Sequence, residues 1–229
     1  MKIKGLQKTT LLDFPGKVAC TVFTGGCNFR CPFCHNASLV LTPKEVDDIS
    51  EDEFFVFLKK RVGVLDGVCI TGGEPLLQHD IIPFIEKIHA LGFAIKLDTN
   101  GSRPKILRQI IELGLVDHIA MDIKNSLKKY SLSVGTDLNL DEIKESIDLI
   151  MNSGISYEFR TTVVKELHAL EDMISIGELI SGAEGYYLQA FKDSGDLICP
   201  EYSAHSEETM REMLKVVTPY IKRAELRGI

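Results

Sequence analysis

Cys27, Cys31 and Cys34 are separated by three and by two residues in the stretch Cys27-Asn28-Phe29-Arg30-Cys31-Pro32-Phe33-Cys34, and these thiols are the side chains best placed to do chemistry. Three thiolates on one short loop can hold a four-iron, four-sulfur cluster and leave one iron free, as a catalytic metal site keeps an open position. The rival is a closed structural zinc site with His35 as fourth ligand. Cys34 and His35 are adjacent, however, and zinc ligand pairs are usually separated by two or more residues so that both side chains reach one ion. The spacing favours the cluster.

A loop of this kind needs elements to hold it. The chain has 229 residues, 45% of them hydrophobic and 7% aromatic, enough for one sizeable core, so a single domain over 1–229 is expected. Short β-branched runs alternate with amphipathic stretches, which predicts strands near 17–23, 67–71, 93–98, 117–122, 157–163 and 185–190. Between them Ser50 and Glu53 form a capping box ahead of FFVFLKKR, and IIPFIEKIHALG, KILRQIIELG and LDEIKESIDLIMNSG each end on glycine. MISIGELISG and ETMREMLKVV supply the last helices. Alternation of this sort predicts an α/β fold of parallel strands, and six units are too few for an eight-stranded barrel, so an incomplete (β/α)6 TIM-like barrel is expected. Polar residues follow the strands: TGGC, TGGEP, DTNG, DIK, RTT and QAFK all fall at carboxyl ends, the rim where active sites form in such folds.

No run of about 18 apolar residues exists, and the start MKIKGLQKTT lacks the apolar core of a secretion signal, so no membrane partner and a cytoplasmic location are expected. Cys20, Cys69 and Cys199 are isolated from the motif, which is no disulfide framework, and the first two sit in apolar runs as inert buried thiols would. The net charge of −7 is uneven: residues 1–44 hold six basic residues against Asp13 alone, a formal +5, and the remainder carries −12. Positive charge beside a redox motif would steer an acidic electron donor. No nucleic-acid partner is expected. His79, His89, His118, His168 and His205 share no spacing that would assemble a metal site, whereas His35 is placed to hydrogen-bond near the cluster.

The cysteine loop with Phe33 before its last thiol, followed by Gly72-Gly73-Glu74-Pro75, resembles the radical S-adenosylmethionine (SAM) superfamily. The resemblance implies one 4Fe-4S cluster on Cys27, Cys31 and Cys34, with the amino and carboxylate groups of SAM on the fourth iron. The glycine pair would let the backbone approach the ligand closely, and Glu74 would accept from its ammonium. Asp98-Thr99-Asn100-Gly101 and Asp122-Ile123-Lys124 are similar to elements of the glycyl-radical-enzyme activases, best known through the pyruvate formate-lyase activating enzyme. That likeness implies a monovalent cation held by Asp98, Thr99 and Asp122, and Lys124 on the cofactor, with Arg160 placed to pair the same carboxylate. Phe33, Asn36 and Gln189 complete the expected cofactor contacts.

The opening GLQKTTLLDFPGKVACTVFTGGC, the Cys34-His35-Asn36 triplet and the closing AELRGI narrow the resemblance to activating proteins of the anaerobic ribonucleoside-triphosphate reductase. It implies reductive cleavage of SAM, fed by a flavodoxin- or ferredoxin-like electron donor, and a hydrogen taken from a glycine of a large glycyl radical enzyme. Asp13-Phe14-Pro15-Gly16 reads by itself as a plain turn. Phe191 stands where the pyruvate formate-lyase activase has histidine, and residues 35–68 hold no cysteine, so one cluster is expected. Two rivals remain: a small-molecule radical SAM enzyme such as a 7-carboxy-7-deazaguanine synthase, and a non-catalytic iron-sulfur or zinc module.

Overall fold

In the computed structural model, which describes residues 1–193 and 195–229, the backbone forms one eight-stranded sheet in sequence order. The strands are β1 (Ile3–Thr10), β2 (Ala19–Thr24), β3 (Gly67–Gly72), β4 (Ala94–Thr99), β5 (His118–Asp122), β6 (Ser156–Val163), β7 (Tyr186–Ala190) and β8 (Ala224–Arg227). From β2 to β8 every neighbouring pair is parallel, while β1 runs antiparallel to β2. The sheet therefore has the open, mostly parallel form expected, with the six expected strands as its middle. Two edge strands join them. β1 alternates lysines and glutamine with apolar residues, and β8 is four residues long, so neither carries a strong β-branched signal.

The helices are α1 (Ala37–Leu41), α2 (Glu51–Lys59), α3 (Ile81–His89), α4 (Pro104–Glu112), α5 (Tyr130–Val134), α6 (Leu140–Met151), α7 (Leu170–Leu179) and α8 (Glu207–Val217). Ser50 and Glu53 close the capping box on α2 as the sequence predicts. The longer helices each bury an apolar stripe: Phe84, Ile85 and Ile88 of α3, for example, are at most 1% exposed, with the Phe84 and Phe54 rings 5.4 Å apart.

Inside the barrel the walls are unusually polar. Thr21, Lys96, Asp98, His118, Glu158 and Arg160 all lie on strands, and Lys96, His118 and Glu158 are at most 7% exposed. Phe14 fills the amino-terminal mouth, packing 6.2 Å from the His118 ring and within 3 Å of where a side chain on Gly67 would begin. Thr21 donates to Asp13 at 2.5 Å, so the Asp13-Phe14-Pro15-Gly16 turn is the barrel's floor. Among the described residues, no helix is long and apolar enough to cross a membrane.

Candidate active site

The cysteine loop leaves β2 at the carboxyl-end rim and is fixed from three sides. Arg30 N donates to Val134 O at 2.7 Å, at the end of α5, and Cys34 N donates to Cys31 O at 3.0 Å, which turns the loop. Cys199 N donates to Pro32 O at 2.8 Å, and Ala37 N to Asp196 O at 3.2 Å, so the segment after β7 braces the loop from outside. Gly135 is required here: its φ is +64°, and a side chain would begin 2.4 Å from Arg30 O.

The glycines of the second motif serve the same loop. A Cβ on Gly72 would lie 2.3 Å from Thr24 N, and one on Gly73 would lie 2.0 Å from Gly26 O. The expected close approach is thus made first to the neighbouring backbone, where Gly73 N donates to Thr24 O and Glu74 N to Gly26 O, both at 2.9 Å. Asn36 Nδ2 adds a bond to Gly72 O at 3.2 Å.

Glu74 is 1% exposed, and its carboxylate accepts from Leu76 N (3.1 Å), Thr99 Oγ1 (2.8 Å) and Asn100 N (2.7 Å). Burial raises its carboxyl to about 7 against the pull of those three donors. This carboxylate, expected to meet a ligand ammonium, also ties the β3 loop to the β4 loop at the cavity wall. Pro75 lies outside the cavity lining and opens the short 75–77 turn that delivers Leu76 N.

Beyond Glu74 the strand register sets the charges. Asp122 of β5 stands opposite Arg160 of β6, and Thr162 opposite Gln189 of β7. Arg160 bridges two acids, Nε to Asp122 at 3.0 Å and a terminal nitrogen to Asp98 at 3.2 Å. Lys124 holds the other Asp122 oxygen at 2.9 Å, and Lys96 pairs with Asp98. Burial alone would raise the Asp122 carboxyl, but the Lys124 and Arg160 charges outweigh it and hold it well below the carboxylate range. The same contest lowers Asp98, through Arg160 and Lys96.

One cavity gathers these groups. Cys27, Cys31, Cys34, Phe33 and Asn36 line it on one side, Gly72, Gly73 and Glu74 below, and Asp98, Thr99, Asp122, Lys124, Arg160 and Gln189 opposite. All the site residues expected from the sequence converge there except Pro75. His35 lines it as well; its ring stacks on Phe191 at 5.4 Å, and its buried Nε2 has no hydrogen-bond partner among the described residues. Asn100 and Lys96 were missed. Asn100 Nδ2 lies 3.7 Å from Cys27 Sγ and 3.1 Å from Asn28 Oδ1, and its place inside the Asp98–Gly101 tetrapeptide is the signal that pointed to it. Lys96, two positions before Asp98 on a strand, shares its face by the pleat alone.

The donor set suits a cluster. Among the described residues no three His, Cys, Asp or Glu side chains gather closely enough to hold a single ion, while Cys27, Cys31 and Cys34 line one cavity together. A four-iron cluster takes each thiolate on a different iron. Burial pushes the Cys31 thiol up to about 12, the Lys124 charge opposing it, and a bound cationic iron would favour the thiolate. His35 and the cationic Lys124 line the same space and leave polar capacity there for a zwitterionic ligand.

Residues 21–175 match the family model described as the Radical SAM superfamily. The chain belongs to the radical SAM superfamily. Its members are enzymes, and the family implies a 4Fe-4S cluster and SAM. A protein of Methanocaldococcus jannaschii, provisionally assigned as a glycyl-radical enzyme activating enzyme, is 32% identical over 237 residues, covering 99% of this chain and 96% of its own. A 7-carboxy-7-deazaguanine synthase of Koribacter versatilis is 31% identical over 154 residues, 65% of this chain and 62% of its own. In fold, the chain is similar to a domain of the pyruvate-formate lyase-activating enzyme of Bacteroides vulgatus (TM-score 0.59, 18% identity, 71% of this chain and 99% of that one).

Proposed function

We propose that this radical SAM enzyme activates a glycyl radical enzyme, and that the partner is an anaerobic ribonucleoside-triphosphate reductase. The observation that carries the activase reading is the near full-length likeness to the methanogen relative, joined to a cavity that puts three thiols opposite the Asp122–Lys124–Arg160 group. The choice of reductase rests on the opening DFPG turn, the Cys34-His35-Asn36 triplet and the closing AELRGI.

Cys27, Cys31 and Cys34 would hold the 4Fe-4S cluster, and Lys124 and Arg160 would pair the carboxylate of SAM, each already oriented by Asp122. Gly72, Gly73, Asn36 and Gln189 lie along the same wall for the rest of the cofactor, with Phe33 beside the thiols. When bound, the pair supplies one-electron reductive cleavage of the sulfonium and, through the adenosyl fragment, removal of hydrogen from a glycine Cα of the partner. The chain's own part is to orient both groups and to keep water out: the floor is closed by Phe14, and the walls are tied by Glu74. Six free cysteines suit a reducing, cytoplasmic setting with a flavodoxin- or ferredoxin-like donor.

The deciding experiment is anaerobic reconstitution with SAM, dithionite and candidate glycyl radical enzymes, followed by electron paramagnetic resonance. A glycyl doublet on the reductase is the expected result. No doublet with any candidate, together with turnover of a small metabolite, would transfer the assignment to the second reading, which the deazaguanine-synthase likeness favours.

A further inference from the structure

Resemblance to the activases brings with it a monovalent cation on Asp98, Thr99 and Asp122, and the side chains at that place do not fit one. All four carboxylate oxygens already accept from side-chain cations. Asp98 accepts from Lys96 and, at 3.2 Å, from Arg160; Asp122 accepts from Arg160 at 3.0 Å and Lys124 at 2.9 Å. The Thr99 hydroxyl is turned away and donates to Glu74 at 2.8 Å. Three cations thus face two carboxylates, an excess of positive charge before any ligand enters.

Lys96 is the most deeply buried of the three cations. It is 1% exposed, and the pleat of β4 sets it on the same face as Asp98. Removing either member of such a pair leaves an uncompensated buried charge, so the ammonium is committed to this position. Glu158, the acid that would otherwise draw Arg160 away, is itself held by Arg227 through bonds of 2.9 and 2.8 Å. A sodium or potassium ion needs several oxygen ligands, and here it would meet an ammonium and a guanidinium in a water-poor space with those oxygens already engaged.

We propose that the Lys96 ammonium, together with the Arg160 guanidinium, is the built-in counter-cation of this site, standing where a monovalent metal ion would otherwise be held, so that the enzyme binds and cleaves SAM without such an ion. The inference rests on reading the cavity as the SAM site. Lys96 is a positioning residue that works through Asp98.

The test is a rubidium soak and a salt series on the anaerobically reconstituted protein and its Lys96→Met variant, both prepared in tetramethylammonium chloride. Anomalous scattering is expected to show no rubidium between Asp98 and Asp122 in the wild type and rubidium in the vacated gap of the variant. SAM affinity and 5′-deoxyadenosine formation by the wild type should differ by less than about twofold between tetramethylammonium, sodium and potassium, while the variant gains at least about fivefold from sodium or potassium. A rubidium peak bridging the two aspartates in the wild type, or a fivefold gain there, overturns the inference. A folded variant that stays free of rubidium and indifferent to salt overturns the part given to Lys96. Should Lys96→Met fail to fold, the two wild-type measurements decide alone. Loss of SAM binding in every salt, with no rubidium in the wild type, sinks the reading of the cavity and leaves the ion-pair account standing.

Discussion

Glu74 is the site residue whose proton the fold controls most visibly. Its carboxyl is raised to about 7 from 4.5, burial being the chief cause. With the folded value above the unfolded one, the native chain holds the proton more tightly between these limits, so this group's contribution to stability falls as pH rises from about 4.5 to 7 and is flat above. The expected size is on the order of 3 kcal/mol. Thermal melts of wild type and Glu74→Gln without SAM should diverge across that window, and parallel curves would show that Glu74 does not titrate there. Under the proposed function Cys31→Ala would remove one of three cluster ligands, and it is expected to lower SAM cleavage to background, measured as 5′-deoxyadenosine released after reconstitution. At this scale the site was legible in the sequence, because thiol spacing and short polar motifs are local. What stayed hidden was the use each donor makes of its neighbours: nothing in GGEP says that Thr99 and Asn100 would claim the Glu74 oxygens.

The elements that carry these residues are held at closer range than hydrophobic packing needs. Gly73 makes the tightest approach to backbone, and Gly73→Ala would drive a methyl into Gly26 O. Overpacking of this kind costs about 1–3 kcal/mol, and here the strain falls on the backbone just before Cys27. The variant should melt earlier and retain less iron per chain after desalting, and an unchanged iron content would show that the loop tolerates the shift. Helices such as IIPFIEKIH were readable from periodicity because each buries one face, and strands such as GVCITG from a short apolar run buried on both faces. β1 was not, since IKGLQKTT is an edge strand with few apolar residues, and neither were the five-residue α1 and α5, which have too few turns for a period to show.

For the molecule as a whole, the uneven charge of the sequence does not become a uniform basic face. Lys4 is bound to Asp48 at 2.6 Å with Lys2 near the same acid, and Lys17 lies over Phe14 at the floor, away from the thiols. Of the six basic residues in 1–44, Arg30 alone belongs to the cysteine loop, exposed and donating to Cys27 O at 2.5 Å. Reduction by an acidic protein donor at low salt is therefore expected to slow severalfold in Arg30→Gln and to change little in Lys17→Gln. Stopped-flow traces of cluster bleaching would decide, and equal effects would remove the steering role. Because Phe14 stops the base of the barrel, the proposed activation would bring the partner's glycine in and let the spent nucleoside out over the same carboxyl-end rim, so each round would wait for the visitor to withdraw.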